Sequence, residues 1–134
     1  MKYILCLIVL FQTANYSQQM GISEKQAQIG KDCAKEYNID LFDAMQVLTS
    51  VATLEKADKN FKCFLNCTLV TAGDMTPQGE LVLDNLKQEI VEQGLDAEKA
   101  GALVNACKGA TGSDVCEIAF AFTICSIGEI TKMI

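Results

Sequence analysis

Apolar residues recur at helical spacing along most of the chain. Leu41, Phe42, Met45, Leu48 and Val51 follow one another at i, i+3/i+4 and i+7, which places them on one face of a helix. Asp40 stands in front as a cap, and Asn38 marks the preceding turn. Phe61, Phe64, Leu65, Leu69 and Val70 give the next helix, between a cap at Asp58 and a stop at Gly73. Leu81, Leu83, Leu86, Ile90 and Val91 give another, which Gly94 closes. Thr76-Pro77 predicts its start, because proline suits the first helical position. Asp96 caps a helix over Ala97–Lys108, ended by Gly109. Ser113-Asp114 open the last, from Val115 to about Ser126. It is apolar nearly all round, which predicts a central helix buried on most faces. Upstream, Ser23-Glu24-Lys25-Gln26 is a capping box opening a helix to about Tyr37. Nowhere does period-two alternation last long enough to predict a strand. The pattern predicts an all-α fold, a compact array of about six helices.

The start of the chain has a different pattern. Met1-Lys2 precedes the unbroken apolar run Tyr3–Phe11, and Thr13-Ala14-Asn15-Tyr16-Ser17 follows. The run is too short to cross a bilayer. Its layout is that of a secretory signal peptide. Cleavage after Ser17 leaves residues 18–134 as one helical domain, with Ala14 and Gln19 as alternative sites. No second long apolar stretch exists, so stable membrane insertion is not expected and the mature protein is expected in extracellular fluid.

Cleavage also removes Cys6 and leaves Cys33, Cys63, Cys67, Cys107, Cys116 and Cys125. An even number of cysteines in a small secreted domain implies disulfides. Spacing alone does not choose among the pairings. Cys63 and Cys67 lie at i and i+4, side by side on one helix face. Their side chains run in parallel, so each is expected to bond to another helix.

Charge narrows the function classes. The chain has 11 Lys+Arg against 17 Asp+Glu, a net charge of −6. Every cation is lysine, and there is no His and no Trp. Nucleic acid is a poor partner for an acidic chain without arginine. Absence of His removes the commonest general base and metal ligand. Neither a catalytic site, a metal site nor a cofactor is therefore expected. A small secreted phospholipase-like enzyme would need a His base. The carboxylate pairs Asp32/Glu36 and Asp40/Asp43 are ordinary solvated helix faces.

The frame Cys33-x29-Cys63-x3-Cys67-x39-Cys107-x8-Cys116-x8-Cys125 resembles the six-cysteine pattern of the insect odorant-binding proteins, the pheromone- and general-odorant-binding family. The x3 and final x8 gaps are that family's tightest marks. The resemblance covers the whole mature chain and implies the pairing Cys33–Cys67, Cys63–Cys116 and Cys107–Cys125. It implies helices around an apolar cavity, and a secreted carrier of small hydrophobic ligands such as odorants or pheromones. A receptor encounter or a homodimer is compatible with such a role. The alternative is a structural, interaction or ligand-scavenging protein of a non-olfactory fluid on the same scaffold.

The candidate lining comes from the inward stripes of the second to sixth helices and the tail. It comprises Phe42, Met45, Leu48, Val51, Phe64, Leu69, Leu86, Ile90, Leu103, Val104, Ile118, Phe122 and Ile127. Thr49, Thr71 and Thr123 are candidate polar anchors. Met45 and Met75 are candidate adaptable contacts, with Met75 expected in a loop. The tail, Ser126–Ile134, is too short for a long helix that fills the cavity. Its Ile127, Ile130, Met133 and Ile134 are expected to fold over the opening, with Glu129 and Lys132 facing water. Without His, any release on acidification must use carboxylates, toward about pH 4–5.

Overall fold

The computed structural model describes residues 24–133. The signal segment 1–17, the domain boundary at 18, Ser23 of the capping box and Ile134 lie outside these residues. Seven helices make up the described fold: α1 Glu24–Glu36, α2 Leu41–Val47, α3 Val51–Leu54, α4 Lys59–Thr71, α5 Leu83–Glu92, α6 Ala97–Cys107 and α7 Val115–Met133. No strand occurs among the described residues, so the fold is all-α.

Local chemistry sets the helix boundaries. Asp40, Asp58 and Asp96 cap α2, α4 and α6 by accepting from Phe42 N, Phe61 N and Lys99 N at 2.9, 2.9 and 2.8 Å. Asp114 does the same for α7, accepting from Glu117 N at 3.0 Å. Each bond satisfies an amide that the helix cannot pair itself. Asn38 ends the chain's run out of α1 with φ 53°, a conformation that asparagine tolerates.

Three boundaries differ from the sequence expectation. The stripe from Leu41 to Val51 is two helices. Thr49 and Ser50 interrupt it: the Thr49 hydroxyl donates to Gln46 O at 2.6 Å, and Ser50 Oγ accepts from Thr53 N at 3.2 Å as a new cap. Short hydroxyl side chains compete in this way with the backbone ladder. Thr76-Pro77 starts a turn, and the helix begins later, at Leu83. Gly79 N donates to Thr76 O at 2.9 Å, Thr76 N to Glu80 O at 2.8 Å, and Met75 pairs with Leu81 in an isolated antiparallel bridge. Proline suits the second position of a β-turn as well as a helix start, and Gly79 at φ 92° closes the loop. Lastly, α7 runs through Ser126 to Met133, so the tail continues the helix and does not fold back.

Three disulfides join the helices: Cys33–Cys67 (α1 to α4), Cys63–Cys116 (α4 to α7) and Cys107–Cys125 (α6 to α7). Their Cα atoms stand 5.8, 4.5 and 5.7 Å apart. Cys63 and Cys67, on neighbouring turns, staple α4 to two different helices. α4 and α7 share the most extensive helix contact, and α6 packs on both α5 and α7. The core between them is built on Leu54, Phe64, Leu103 and Ile127, which have almost no exposed surface. Met75 is in a loop, as expected, but it is fully buried beneath the hairpin. At the surface end of the α4–α7 contact, Lys59 pairs with Asp114 and with Glu117 (3.2 Å), and Lys62 with Glu117 (3.1 Å).

Candidate functional site

Packing leaves a mainly apolar hollow where α1, α4, α5, α6 and α7 converge. A cavity of about 120 Å³ remains there. Ile29 and Gly30 of α1, Leu69 of α4, Leu86 and Ile90 of α5, Leu103 of α6, and Phe122 and Ile130 of α7 form its apolar walls. Three hydroxyls interrupt the apolar surface. Thr68, Thr123 and Ser126 donate to Leu65 O, Ala119 O and Phe122 O, each at 2.8 Å. Their protons are committed to their own helices, so toward the cavity they offer acceptor lone pairs.

One end of the cavity is polar. Asp74, just past the end of α4, and Glu89 of α5 meet there in hydrogen-bond contact. Asn85 Nδ2 donates to Asp74 Oδ1 at 2.7 Å, and Gln26 Nε2 of α1 donates to Glu89 Oε1 at 2.5 Å. Burial pushes the Asp74 carboxyl up to about 9, reinforced by the hydrogen bond and charge of Glu89 and opposed by the Asn85 amide. Desolvation and a neighbouring carboxylate both disfavour ionisation, so Asp74 holds its proton at neutral pH. Gln93, one turn beyond Glu89 and 9% exposed, borders the same end. Its side-chain amide makes no hydrogen bond among the described residues. On the far side of Gln26 and Glu89 lies a second, polar recess, reached by Lys25, Gln88 and Glu92.

The site has apolar walls, acceptor hydroxyls and no His. Such a surface suits binding by dispersion and burial more than bond-making. The model of the PBP/GOBP family, the odorant- and pheromone-binding proteins of insects, matches residues 14–129. The chain belongs to this family. No curated protein and no solved structure matches it significantly. The PBP/GOBP proteins are small carriers of odorants and pheromones, binding proteins and not enzymes. No helix among the described residues is long and apolar enough to cross a membrane.

The residues that the sequence nominated for this PBP/GOBP cavity divide into two groups. Leu69, Leu86, Ile90, Leu103 and Phe122 stand on its walls. Leu48, Phe64, Val104 and Ile127 are buried in the close-packed core, away from the cavity. Met45, Val51 and Ile118 pack half-buried against that core, and Phe42 is 64% exposed. Of the candidate polar anchors, Thr123 borders the cavity, while Thr49 and Thr71 are on the surface. The α2–α3 stripe therefore lies elsewhere, and α1 takes the place assigned to it. The acidic end and the α1 residues had not been foreseen. Part of their signal was present: Leu86, Ile90 and Gln93 share one helical face at i, i+4 and i+7, and a glutamine there interrupts an apolar stripe.

Proposed function

We propose that the protein is a secreted carrier that takes up small hydrophobic molecules in the cavity among α1, α4, α5, α6 and α7 and transports them through an aqueous fluid. Cleavage near Ser17 would release residues 18–134 as the mature carrier. The observation that carries this reading is the apolar cavity itself, in a chain of the PBP/GOBP family. A cavity of about 150 Å³ lined by aliphatic and aromatic residues stays dry and takes benzene. The present one, at about 120 Å³, suits a ring or short chain as it stands. Longer ligands require its walls to part. Burying roughly 200–300 Å² of ligand at about 25 cal/mol/Å² gives about 5–7 kcal/mol, enough for micromolar binding.

Competition between a fluorescent apolar probe and a panel of volatiles and fatty derivatives tests the reading. Displacement graded by the size of the apolar body is expected. A panel without any displacement would remove the carrier role.

A further inference from the structure

The apolar part of the cavity sets what size of ligand fits, but its polar end asks for a particular head group. Asp74 is buried, with 5% exposure, and Glu89 is half-buried beside it. Each carboxyl has one outward bond, from Asn85 to Asp74 and from Gln26 to Glu89. An ionised carboxylate has about four lone-pair sites, so acceptor positions remain toward the hollow. Asp74 keeps its proton at neutral pH, and no cation among the described residues lines the cavity beside the pair. Lys25 of α1 and Glu92 of α5 line the outer recess, on which Glu89 also borders. Among the described residues, no lysine borders the cavity.

Gln93 supplies the second and independent observation. Its side chain is buried at the cavity and lacks a partner among the described residues. A buried amide without a partner costs free energy, about 1–3 kcal/mol, which a bound ligand could recover. An ammonium group has three N–H donors and no acceptor. Two donors match the free carboxyl positions, and the third matches the Gln93 side-chain oxygen. A hydroxyl, with a single donor, satisfies only one of these.

We propose that Asp74, Glu89 and Gln93 form a recognition site for the ammonium group of a small apolar amine whose hydrocarbon body occupies the cavity between α5 and α7. This rests on the carrier reading and names the ligand class that the site selects. The ammonium meets the carboxyl pair in a low-dielectric setting that strengthens charge-assisted hydrogen bonds.

The test is an NMR titration of the mature protein at pH 7 with benzylamine, benzyl alcohol and toluene, three ligands of nearly equal size. Benzylamine is expected to bind about tenfold or more tighter than the other two. Asp74→Asn reproduces the protonated acid: its amide still donates to Glu89 and still accepts from Asn85. This variant is expected to keep the amine preference. The double variant Asp74→Asn/Glu89→Gln keeps the shape but removes all charge, and is expected to lose about tenfold in benzylamine affinity with toluene unchanged. Toluene binding without an amine preference in the wild-type protein would overturn the ammonium site and leave the carrier reading intact. Failure of all three ligands would overturn both. A double variant that retains full benzylamine affinity would also overturn the site, and the wild-type comparison decides the matter if that variant does not fold.

Discussion

Phe122 belongs to the core and to the cavity at once. It is buried on α7 and supplies the only aromatic wall of the hollow among the described residues. Phe122→Ala removes that wall and enlarges the space. The loss of packing should lower stability by about 3–5 kcal/mol, with the three disulfides still holding the helices together. Ring-sized ligands should weaken by about 1–3 kcal/mol, while longer chains lose less, so a displacement panel should change its rank order. Unchanged affinity for every ligand would place Phe122 outside the binding surface. Gly79 probes a position outside the cavity lining. A Cβ there would stand 3.0 Å from Ile118 Cδ1 and 3.2 Å from Val115 Cγ1, at φ 92°. Gly79→Ala should therefore cost about 1–3 kcal/mol in a thermal melt. Ligand affinity should stay unchanged, because neither Ile118 nor Val115 borders the cavity. At this scale the sequence is informative where a residue interrupts a pattern, as Gln93 does. It is uninformative for Asp74, whose partner Glu89 is brought to it only by packing of α5 beside the end of α4.

Periodicity locates an element more securely than its ends or its neighbours. The stripes of α4, α6 and α7 are legible because each buries several apolar residues, which fixes the period, while α5 turns Leu86 and Ile90 inward and leaves Leu83 and Val91 exposed. The breaks at Ser50 and Gly79 depend on single hydroxyls and a turn, which compete with the helix locally and leave the stripe intact. A period also says which residues face inward without saying what they face. That is why Met45 and Leu48, expected on the cavity wall, pack in the interior away from it, and why α1, outside the expected lining, supplies a wall. The tail illustrates the same limit. Ile127 and Ile130 are expected to fold over the opening; they are buried instead as part of a continuous α7. Ile130 is a fixed piece of the cavity wall, and half-buried Glu129 pairs with exposed Lys132 at 3.4 Å. Removal of residues 129–134 should therefore open one side of the cavity permanently. Stopped-flow displacement should show a faster ligand off-rate at every pH. An unchanged off-rate would mean that the last turns of α7 do not retain the ligand.

For the molecule as a whole, the cysteine frame and the absence of His made the architecture and the class of function legible. They encode covalent topology and missing chemistry, which do not depend on packing detail. The balance of charges between interior and surface could be read only from the structure, and it predicts an unusual pH profile. Asp74 is raised by burial and by Glu89. In the folded protein it keeps a proton that the unfolded chain releases above about pH 4. The unfolded state therefore binds fewer protons than the native state between about pH 4 and 9, and stability falls as pH rises through that window. The surface cluster acts in the opposite sense. Asp114 is lowered chiefly by its hydrogen bond to Lys59, and Glu117 chiefly by its hydrogen bond to Lys62. Their contribution is present above the ordinary carboxylate range and is lost as pH falls through it, but both are exposed and their effect is small. The two trends meet on the acid side, so thermal stability should peak near about pH 4–5. Toward pH 9 it should decline by at most about 1.4 kcal/mol per pH unit, the limit for one proton. Asp74→Asn replaces the protonated acid with a group that cannot ionise, so its melting temperature should be nearly level across that range and exceed the wild type's at pH 8. A wild-type melting temperature that rises from pH 5 to 9, or a variant profile parallel to it, would show that Asp74 does not retain its proton in the folded protein.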